Sequence, residues 1–502
     1  MRTPLEATTR FKQADPWLGG GPVTRRTRRD FLQQSSRLLA GGALAGLPGC
    51  GGSEPQAGAD DRPNLLFFFP DQHRPDWLGP GSGSLAALRT PNIDRLARDG
   101  VNFTKALVPS PVCAPSRACL ASGREYDRCG VGSNRFDYPL DQTTFYGLLR
   151  DSGYHTMAVG KLDLSKNSKN WGIDGRNFAE DWGFSAQINN SGKGDGMAAY
   201  LQDPEGPKDP YYAYLDSLEP PQGKACAEDF RRRRSGFPDT WWGDVITSPL
   251  GPEAYCDNWI AQNGLDLIAA APKDHPWHLV INFVGPHPPV DITAEMEAWV
   301  RDRDGLGQPF AYEGALTPAE HVALRQNYAA MIENIDAWLG RYIDMLEETG
   351  QLENTIIVYS SDHGEMLGDH ARWGKSLPYQ ASAGVPLLAA GPGIRSGYEC
   401  HLPTTVLDLA ATFLDYAGLP TPADMDSQSL RPLLEGRTDS HREVVLSGLR
   451  NWRLAYDGRY KLVTGFGDED ILWDLEADPL ETENLAARQP EVLRRLREVL
   501  PG

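Results

Sequence analysis

The sequence predicts an α/β fold with a mostly parallel central sheet and a small antiparallel C-terminal subdomain. Three observations carry this. Three short apolar runs are continuous rather than alternating, helical patterns lie between them, and past about residue 438 the pattern shifts to short strands at hairpin spacing. A continuous apolar run marks a strand covered on both faces, which is the situation of a parallel sheet beneath helices. The 502 residues, less a leader of about fifty, suffice for one large domain and one small one.

The leader comes first. Arg25-Arg26 and Arg28-Arg29 precede Asp30-Phe31-Leu32, and a small-residue apolar stretch runs from Leu38 to Leu47. That stretch is too short to span a bilayer. Residues 1–50 read as an export signal, the alternative being a basic amphipathic helix of the mature chain. Arg28-Arg29-Asp30-Phe31-Leu32 resembles a twin-arginine signal, and Leu47-Pro48-Gly49-Cys50 resembles a bacterial lipobox whose cysteine would carry a lipid. The expected location is extracytoplasmic, in the periplasm or at the outer membrane or cell surface, with the membrane met only through Cys50. Residues 51–61 read as a tether.

The catalytic unit is expected over 62–438 and the subdomain over 439–502. Pro63 to Phe69, His278 to Val284 and Thr355 to Ser360 are the buried strands. Thr90 to Asp99 is a helix with Pro91 early and Gly100 just beyond it. Residues 318–348 place Tyr328, Met331, Ile332, Ile335, Trp338, Leu339, Tyr342, Ile343 and Leu346 on one face of a long amphipathic helix. Residues 165–255 are weakly periodic and read as long excursions above the sheet, where selectivity sits. Val444–Leu446, Trp452–Tyr456, Tyr460–Val463 and Ile471–Trp473 are short strands with Asp457-Gly458 as a turn, and a helix over 489–500 closes the chain.

The formal net charge of -19 excludes the basic surface that nucleic acid requires. It also means that an anionic substrate needs a local cationic pocket. The cysteines are Cys50, Cys113, Cys119, Cys129, Cys226, Cys256 and Cys400, an odd set that fits no zinc template. Setting Cys50 and Cys113 aside leaves five, so at least one thiol stays free. His155, His275, His278 and His401 read as structural or surface histidines. Trp241-Trp242 after Arg231–Arg234 is either a sugar-stacking, anion-gripping loop or a solvated arginine run beside a packed aromatic pair.

Two acidic pairs follow two strands: Asp71-Gln72 after the first, Asp362-His363 after the 355–360 strand. Ligands bind beyond the carboxyl ends of strands in an open α/β sheet. If those strands are neighbours, three oxygens and an imidazole converge, a donor set for Ca²⁺ or Mg²⁺ with Mn²⁺ or Zn²⁺ also open. Cys113-Ala114-Pro115-Ser116-Arg117 opens a helix that Gly123 ends, which puts Cys113 at a helix N-terminus, where an anion is favoured. An isolated cysteine of this kind is more often a buried structural thiol.

The string from Cys113 to Arg124 resembles the signature of the formylglycine-dependent type I sulfatases, of the alkaline phosphatase-like superfamily. Gly160-Lys161, Pro286-His287, Ser361 to Glu365, Gly368-Asp369-His370, Trp373-Gly374-Lys375 and the tail from Trp452 to Leu485 are similar to further parts of that family. The resemblance implies an alkaline phosphatase-like sandwich that hydrolyses sulfate esters, with sulfated carbohydrates as the expected substrates. It implies that Cys113 is oxidised to formylglycine (3-oxoalanine) by a formylglycine-generating system. It also implies a divalent metal, Ca²⁺ foremost, on Asp71, Gln72, Asp362 and His363. Arg117 and Lys161 would fix the hydroxyls of the nucleophile, Lys375 would grip sulfate, and His287 would serve the leaving oxygen. The chain departs from the pattern at Asp163, where the family usually has histidine two residues after the lysine. Asp163 is expected to act as the base for sulfate release, with a plain ion pair to Lys161 as the alternative. A phosphonate monoester or phosphodiester hydrolase and a non-catalytic binder of sulfated glycans are the competing functions.

Overall fold

The structure is a computed structural model describing residues 60–83, 85–204, 209–235 and 244–501. The export-signal motifs, Cys50, most of the tether and Trp241-Trp242 lie outside the described residues. No helix among those described is long and apolar enough to cross a membrane.

The strands are β1 (Asn64–Phe68), β2 (Val101–Phe103), β3 (Ala106–Leu107), β4 (His155–Gly160), β5 (Ala186–Asn189), β6 (Trp277–Asn282) and β7 (Thr355–Ser360). They continue as β8 (Leu387–Ala390), β9 (Tyr398–Cys400), β10 (Thr404–Thr405), β11 (Val445–Leu449), β12 (Trp452–Tyr456), β13 (Tyr460–Thr464) and β14 (Ile471–Asp474). Eight of them form the main sheet in the order β5-β4-β6-β1-β7-β8-β2-β9. The run β5-β4-β6-β1-β7 is parallel throughout, and β8 alone runs against its neighbours. Parallel strands end on a common edge, so five carboxyl ends open on one side of the sheet.

Each central strand is buried on both faces, and its alternate residues enter two different cores. Leu65, Phe67, Val280, Ile356 and Val358 pack with Ala114, Ala118 and Ala121 of one helix layer. Leu66, Phe68, Leu279, Ile281, Ile357 and Tyr359 pack with Ile335, Leu339 and Tyr342 of the long helix. This is the helix–sheet–helix sandwich that the continuous runs demanded. The long helix spans Pro318–Glu348, as its periodicity requires, and opens with a capping box between Thr317 and Glu320. The helix Pro91–Asp99 stops before Gly100, also as expected.

The stretch 165–255, read as long excursions, carries regular elements of its own. It supplies β5 and the helices Ala179–Trp182, Lys193–Gln202, Pro210–Ser217 and Gly223–Ser235. These pieces are too short, and too punctuated by glycine and proline, for a period to show. One local signal was present: the Asp209 side chain accepts the Tyr212 N–H at the start of a proline-led helix. In the C-terminal part, β11 to β14 form a four-stranded antiparallel sheet, against which Leu496 of the helix Pro490–Arg497 packs.

His278 shows what burial costs a titratable group. It is fully buried on β6 among Phe145, Tyr146 and Phe413, with Nδ1 3.1 Å from the Leu65 carbonyl. Burial pushes its pKa down to about 3. The folded state therefore holds the imidazole neutral, while the unfolded chain protonates it below about pH 6.5. The resulting stability is complete above that pH and declines as the pH falls, by up to about 1.4 kcal/mol per pH unit. Melting temperatures measured from neutral to acid pH should fall, and His278→Leu should flatten part of that slope.

Candidate active site

The site is built where β1 and β7 end. They pair in parallel, with Phe68 opposite Tyr359, so Asp71 and Asp362 leave adjacent strands three residues beyond matched positions. The Ser361 hydroxyl locks the two ends, donating to the Pro70 carbonyl at 2.9 Å and accepting the His73 N–H at 2.9 Å. The Gln72 N–H donates to Asp362 Oδ1 at 3.1 Å. Asp71, Gln72, Asp362 and His363 are all buried, and both carboxylates are at 0% exposure.

Cys113 is the first residue of the helix Cys113–Ser122, which Gly123 closes at φ 64. Its sulfur lies 3.2 Å from His363 Nε2, 3.1 Å from Lys375 Nζ, 3.5 Å from Lys161 Nζ and 3.9 Å from Asp71 Oδ1. Asn134, which the sequence did not single out, accepts the Ala114 N–H at 3.0 Å beside it. Burial and the Asp71 carboxylate push the Cys113 thiol up, but Lys161, Lys375 and His363 outweigh them and hold it below the ordinary thiol value. The helix N-terminus adds to the same preference for negative charge.

Three cations converge on the two carboxylates. Arg117, one turn along the helix, donates from Nε to Asp362 Oδ2 at 2.9 Å and from Nη2 to Asp71 Oδ2 at 3.4 Å. Its Nη1 is fixed by the Lys161 carbonyl and by Asn282 Oδ1, at 2.7 and 2.8 Å. Asn282 ends β6, the strand between β1 and β4; it was hidden inside an apolar run. Lys161, just past β4, donates to Asp71 and has its backbone N–H on the Asn282 carbonyl at 2.8 Å. Burial pushes Asp71 up, but Lys161 and Lys375 hold it well below the usual carboxylate range. Burial pushes Lys161 down, but Asp163 and Asp71 hold it well above the ordinary lysine value.

Lys375 also donates to Gln72 Oε1 at 2.8 Å. The other end of that amide, Nε2, is taken by buried Glu365. Glu365 Oε1 accepts the Leu367 and Gly374 N–H groups at 2.9 and 2.7 Å. This fixes the Gln72 amide with its oxygen toward Lys375, a second role for a residue that the motif contained without explaining. His287 follows Pro286, which bridges in parallel to Asp71, and its Nδ1 lies 2.6 Å from the Pro288 carbonyl. Burial and Lys375 hold His287 well below the ordinary histidine value against the pull of Asp71.

Asp163 lies one step back. Its carboxylate meets Lys161 Nζ at 3.2 Å and Lys166 Nζ at 3.0 Å, so Lys161 links it to the Cys113 sulfur. Lys166 was not foreseen.

Among the described residues, Asp71, Cys113, Asp362 and His363 each offer a ligand atom, all within 4.8 Å of one another. Two carboxylate oxygens, an imidazole nitrogen and the oriented Gln72 amide oxygen fit a hard divalent cation. A cation held there would border the side chain of residue 113.

Comparisons with known proteins find likenesses over most of the chain. A model of the Sulfatase family matches residues 63–419, and a model described as N-sulphoglucosamine sulphohydrolase, C-terminal, matches 368–500. The chain is 29% identical over 463 residues to a choline-sulfatase of Rhizobium meliloti, covering 85% of this chain and 82% of that one. It is 26% identical over 512 residues to an N-acetylglucosamine-6-O-sulfatase of Bacteroides thetaiotaomicron, with 92% and 90% covered. Among solved structures, a phosphonate monoester hydrolase of Agrobacterium radiobacter superposes with a TM-score of 0.71 at 24% identity, covering 87% of this chain and 94% of that one. A protein solved with its substrate D-glucosamine-2-N,6-O-disulfate gives 0.68 at 21%, with 88% and 97% covered. These two likenesses show a shared fold.

Gly160 tests how the site hangs on the sheet. It sits at φ 95, and an added Cβ would fall 1.9 Å from the Asn282 carbonyl oxygen. Gly160→Ala should force β4 from β6 just where Lys161 is held, lowering stability by more than about 2 kcal/mol. Thermal unfolding should show the drop, and the conservative Gly153→Ala, whose Cβ would meet only an Arg62 guanidinium nitrogen at 3.5 Å, should cost less.

Proposed function

The chain belongs to the sulfatase family and is a sulfuric ester hydrolase of the alkaline phosphatase-like superfamily; from that premise we propose that it removes sulfate from carbohydrate esters, using formylglycine at position 113 beside a divalent cation. The observation that carries this reading is the placement of the Cys113 sulfur within 3.9 Å of Asp71, His363, Lys161 and Lys375 together. That sulfur marks where the formylglycine oxygens would lie. In this reading Asp71, Gln72, Asp362 and His363 hold the cation, with Ca²⁺ as the first candidate.

When present, the hydrated aldehyde supplies a hydroxyl nucleophile, and the cation acidifies it and neutralises sulfate oxygen. The remaining work falls to the chain itself. Lys375 stands 3.1 Å from the side chain of residue 113 and 2.8 Å from Gln72 Oε1, where it would donate to a sulfate oxygen. Arg117 is pinned by four acceptors and so holds the two carboxylates apart from the incoming anion. His287 serves the leaving oxygen: Nδ1 is engaged by the Pro288 carbonyl, so the proton exchanged with substrate is carried at Nε2. Its depressed pKa keeps the resting ring neutral, so Nε2 must take up a proton before passing one to the leaving oxygen. Asp163 would serve as the base for sulfate release through Lys161, whose ammonium gives a proton to the carboxylate as it takes one from residue 113.

Carbohydrate is favoured by the N-acetylglucosamine-6-O-sulfatase relative, and an exported enzyme would meet polymeric sulfated glycans. The phosphonate monoester alternative is left with a likeness of fold at 24% identity.

Protein made with a formylglycine-generating system should yield a peptide across position 113 with the mass of the aldehyde. It should release sulfate from an aryl sulfate and from members of a sulfated-glycan panel, more slowly after chelation and again at full rate after Ca²⁺ is restored. Cys113→Ala should abolish turnover, and Asp362→Asn should lower kcat by at least about 10²-fold. An unmodified thiol in fully active protein would sink the proposal.

A further inference from the structure

Asp163 carries a negative charge into the floor of a site that must admit an anion. Its carboxylate is 2% exposed as a residue and lies against Lys161. Lys161 cannot compensate it alone, because the same ammonium group already serves Asp71 and contacts the Cys113 sulfur. The chain supplies a second cation three residues later. Asp163 adopts φ 55, a left-handed turn that brings the following segment back over it. A further turn, closed by the Lys169 N–H on the Ser165 carbonyl at 3.0 Å, sets Lys166 above the carboxylate. Lys166 Nζ then lies 3.1 Å from Asp163 Oδ1 and 3.0 Å from Oδ2.

Lys166 is itself held. Asp195, in the first turn of the helix Lys193–Gln202, meets it at 2.9 Å and takes Lys169 on its other oxygen at 3.3 Å. The result is an unbroken series of polar contacts: Cys113 sulfur to Lys161 at 3.5 Å, Lys161 to Asp163 at 3.2 Å, Asp163 to Lys166 at 3.0 Å and Lys166 to Asp195 at 2.9 Å. The Asp195 side chain, 26% exposed, ends it at solvent.

We propose that Lys166 is a positioning residue for the sulfatase reaction, holding and charge-balancing Asp163 so that a carboxylate can occupy that place beside an anionic substrate. The inference rests on the reading under Proposed function. Burial pushes Lys166 down, but Asp163 and Asp195 hold it above the ordinary lysine value, so it stays cationic through the working pH range. A carboxylate bridged by two ammonium groups has its oxygens fixed in space and its charge spread between them. With one ammonium removed, the carboxylate collapses onto Lys161 and withdraws that group from residue 113.

The test is a double-mutant cycle on the formylglycine-bearing, metal-loaded enzyme with an aryl sulfate, followed both before and during steady state. Lys166→Met should lower steady-state kcat about tenfold, lower KM with it, and expose a burst of aryl alcohol, because sulfate release has become limiting. Partial unfolding scales burst amplitude and steady rate together, so the ratio of the two reads the effect on the folded enzyme alone. Lys166→Arg should stay within about threefold of the parent. Adding Lys166→Met to Asp163→Asn should change kcat less than about twofold, since the charge to be balanced is gone. An equal loss in both backgrounds, or a Lys166→Met enzyme with parental kcat and no burst, overturns the inference. A parent enzyme that bears the aldehyde yet turns over no aryl sulfate overturns the preceding reading, and this one with it.

Discussion

The site depends on a repulsion. The parallel pairing of β1 with β7 delivers two fully buried carboxylates, Asp71 and Asp362, side by side. Two like charges about 4 Å apart in a protein environment repel by roughly 4 kcal/mol even at a generous dielectric. Each also loses its hydration on burial. Such a pair persists only if cations are brought to it, and much of the surrounding architecture does so. Arg117 comes from the helix Cys113–Ser122, Lys161 from the end of β4 and Lys375 from the loop beyond β7.

That requirement explains why β6 lies where it does. It separates β1 from β4, so Lys161 must reach across its end, and Asn282 there accepts Arg117 through its side chain and the Lys161 N–H through its carbonyl. Gly160 allows the close approach because no Cβ stands between the strands. The Cys113 helix is positioned by the same contacts: Arg117 is one turn from residue 113, so anchoring the guanidinium on both carboxylates fixes the helix N-terminus above them. Glu365 extends the principle to Gln72, whose amide has only one orientation that leaves each end with a partner.

These relations differ in how far the sequence reveals them. β7 runs from Thr355 to Ser360 because TIIVYS is uninterrupted and polar residues bound it. The long helix begins at Pro318 because Thr317 and Glu320 cap it. In both cases the signal lies within a few neighbouring residues. The convergence of Asp71 with Asp362 was conditional on strand adjacency, which no local pattern contains. β5 was missed because its four residues include the buried polar side chains Gln187 and Asn189. Lys166 was missed because its partnership with Asp163 depends on a left-handed backbone angle at a residue that is not glycine. Motif spacing thus pointed to the side chains gathered around the Cys113 sulfur and to Asp163 one step behind them, whereas Lys166 and Asn282, which act through a neighbour, emerged only from the geometry.

The charge balance also resolves an apparent contradiction. A chain of net charge -19 repels anions at long range, yet its site faces an anion. Salt screens exposed charges beyond about 8–10 Å, so the distant surface matters little to a buried pocket. Within it, Lys161, Lys166, Arg117 and Lys375 stand against Asp71, Asp362 and Asp163. Four positive groups against these three and Asp195, which pairs with Lys166, give a pocket close to neutrality. A divalent cation held there would add two positive charges at the spot where the carboxylates meet, and the low dielectric of the buried floor would keep that field from being screened. On the proposed reading the carboxylates would serve the anion indirectly, by holding that cation. The same balance gives Asp163 its cost, since an uncompensated third carboxylate would offset half of what such a cation would supply.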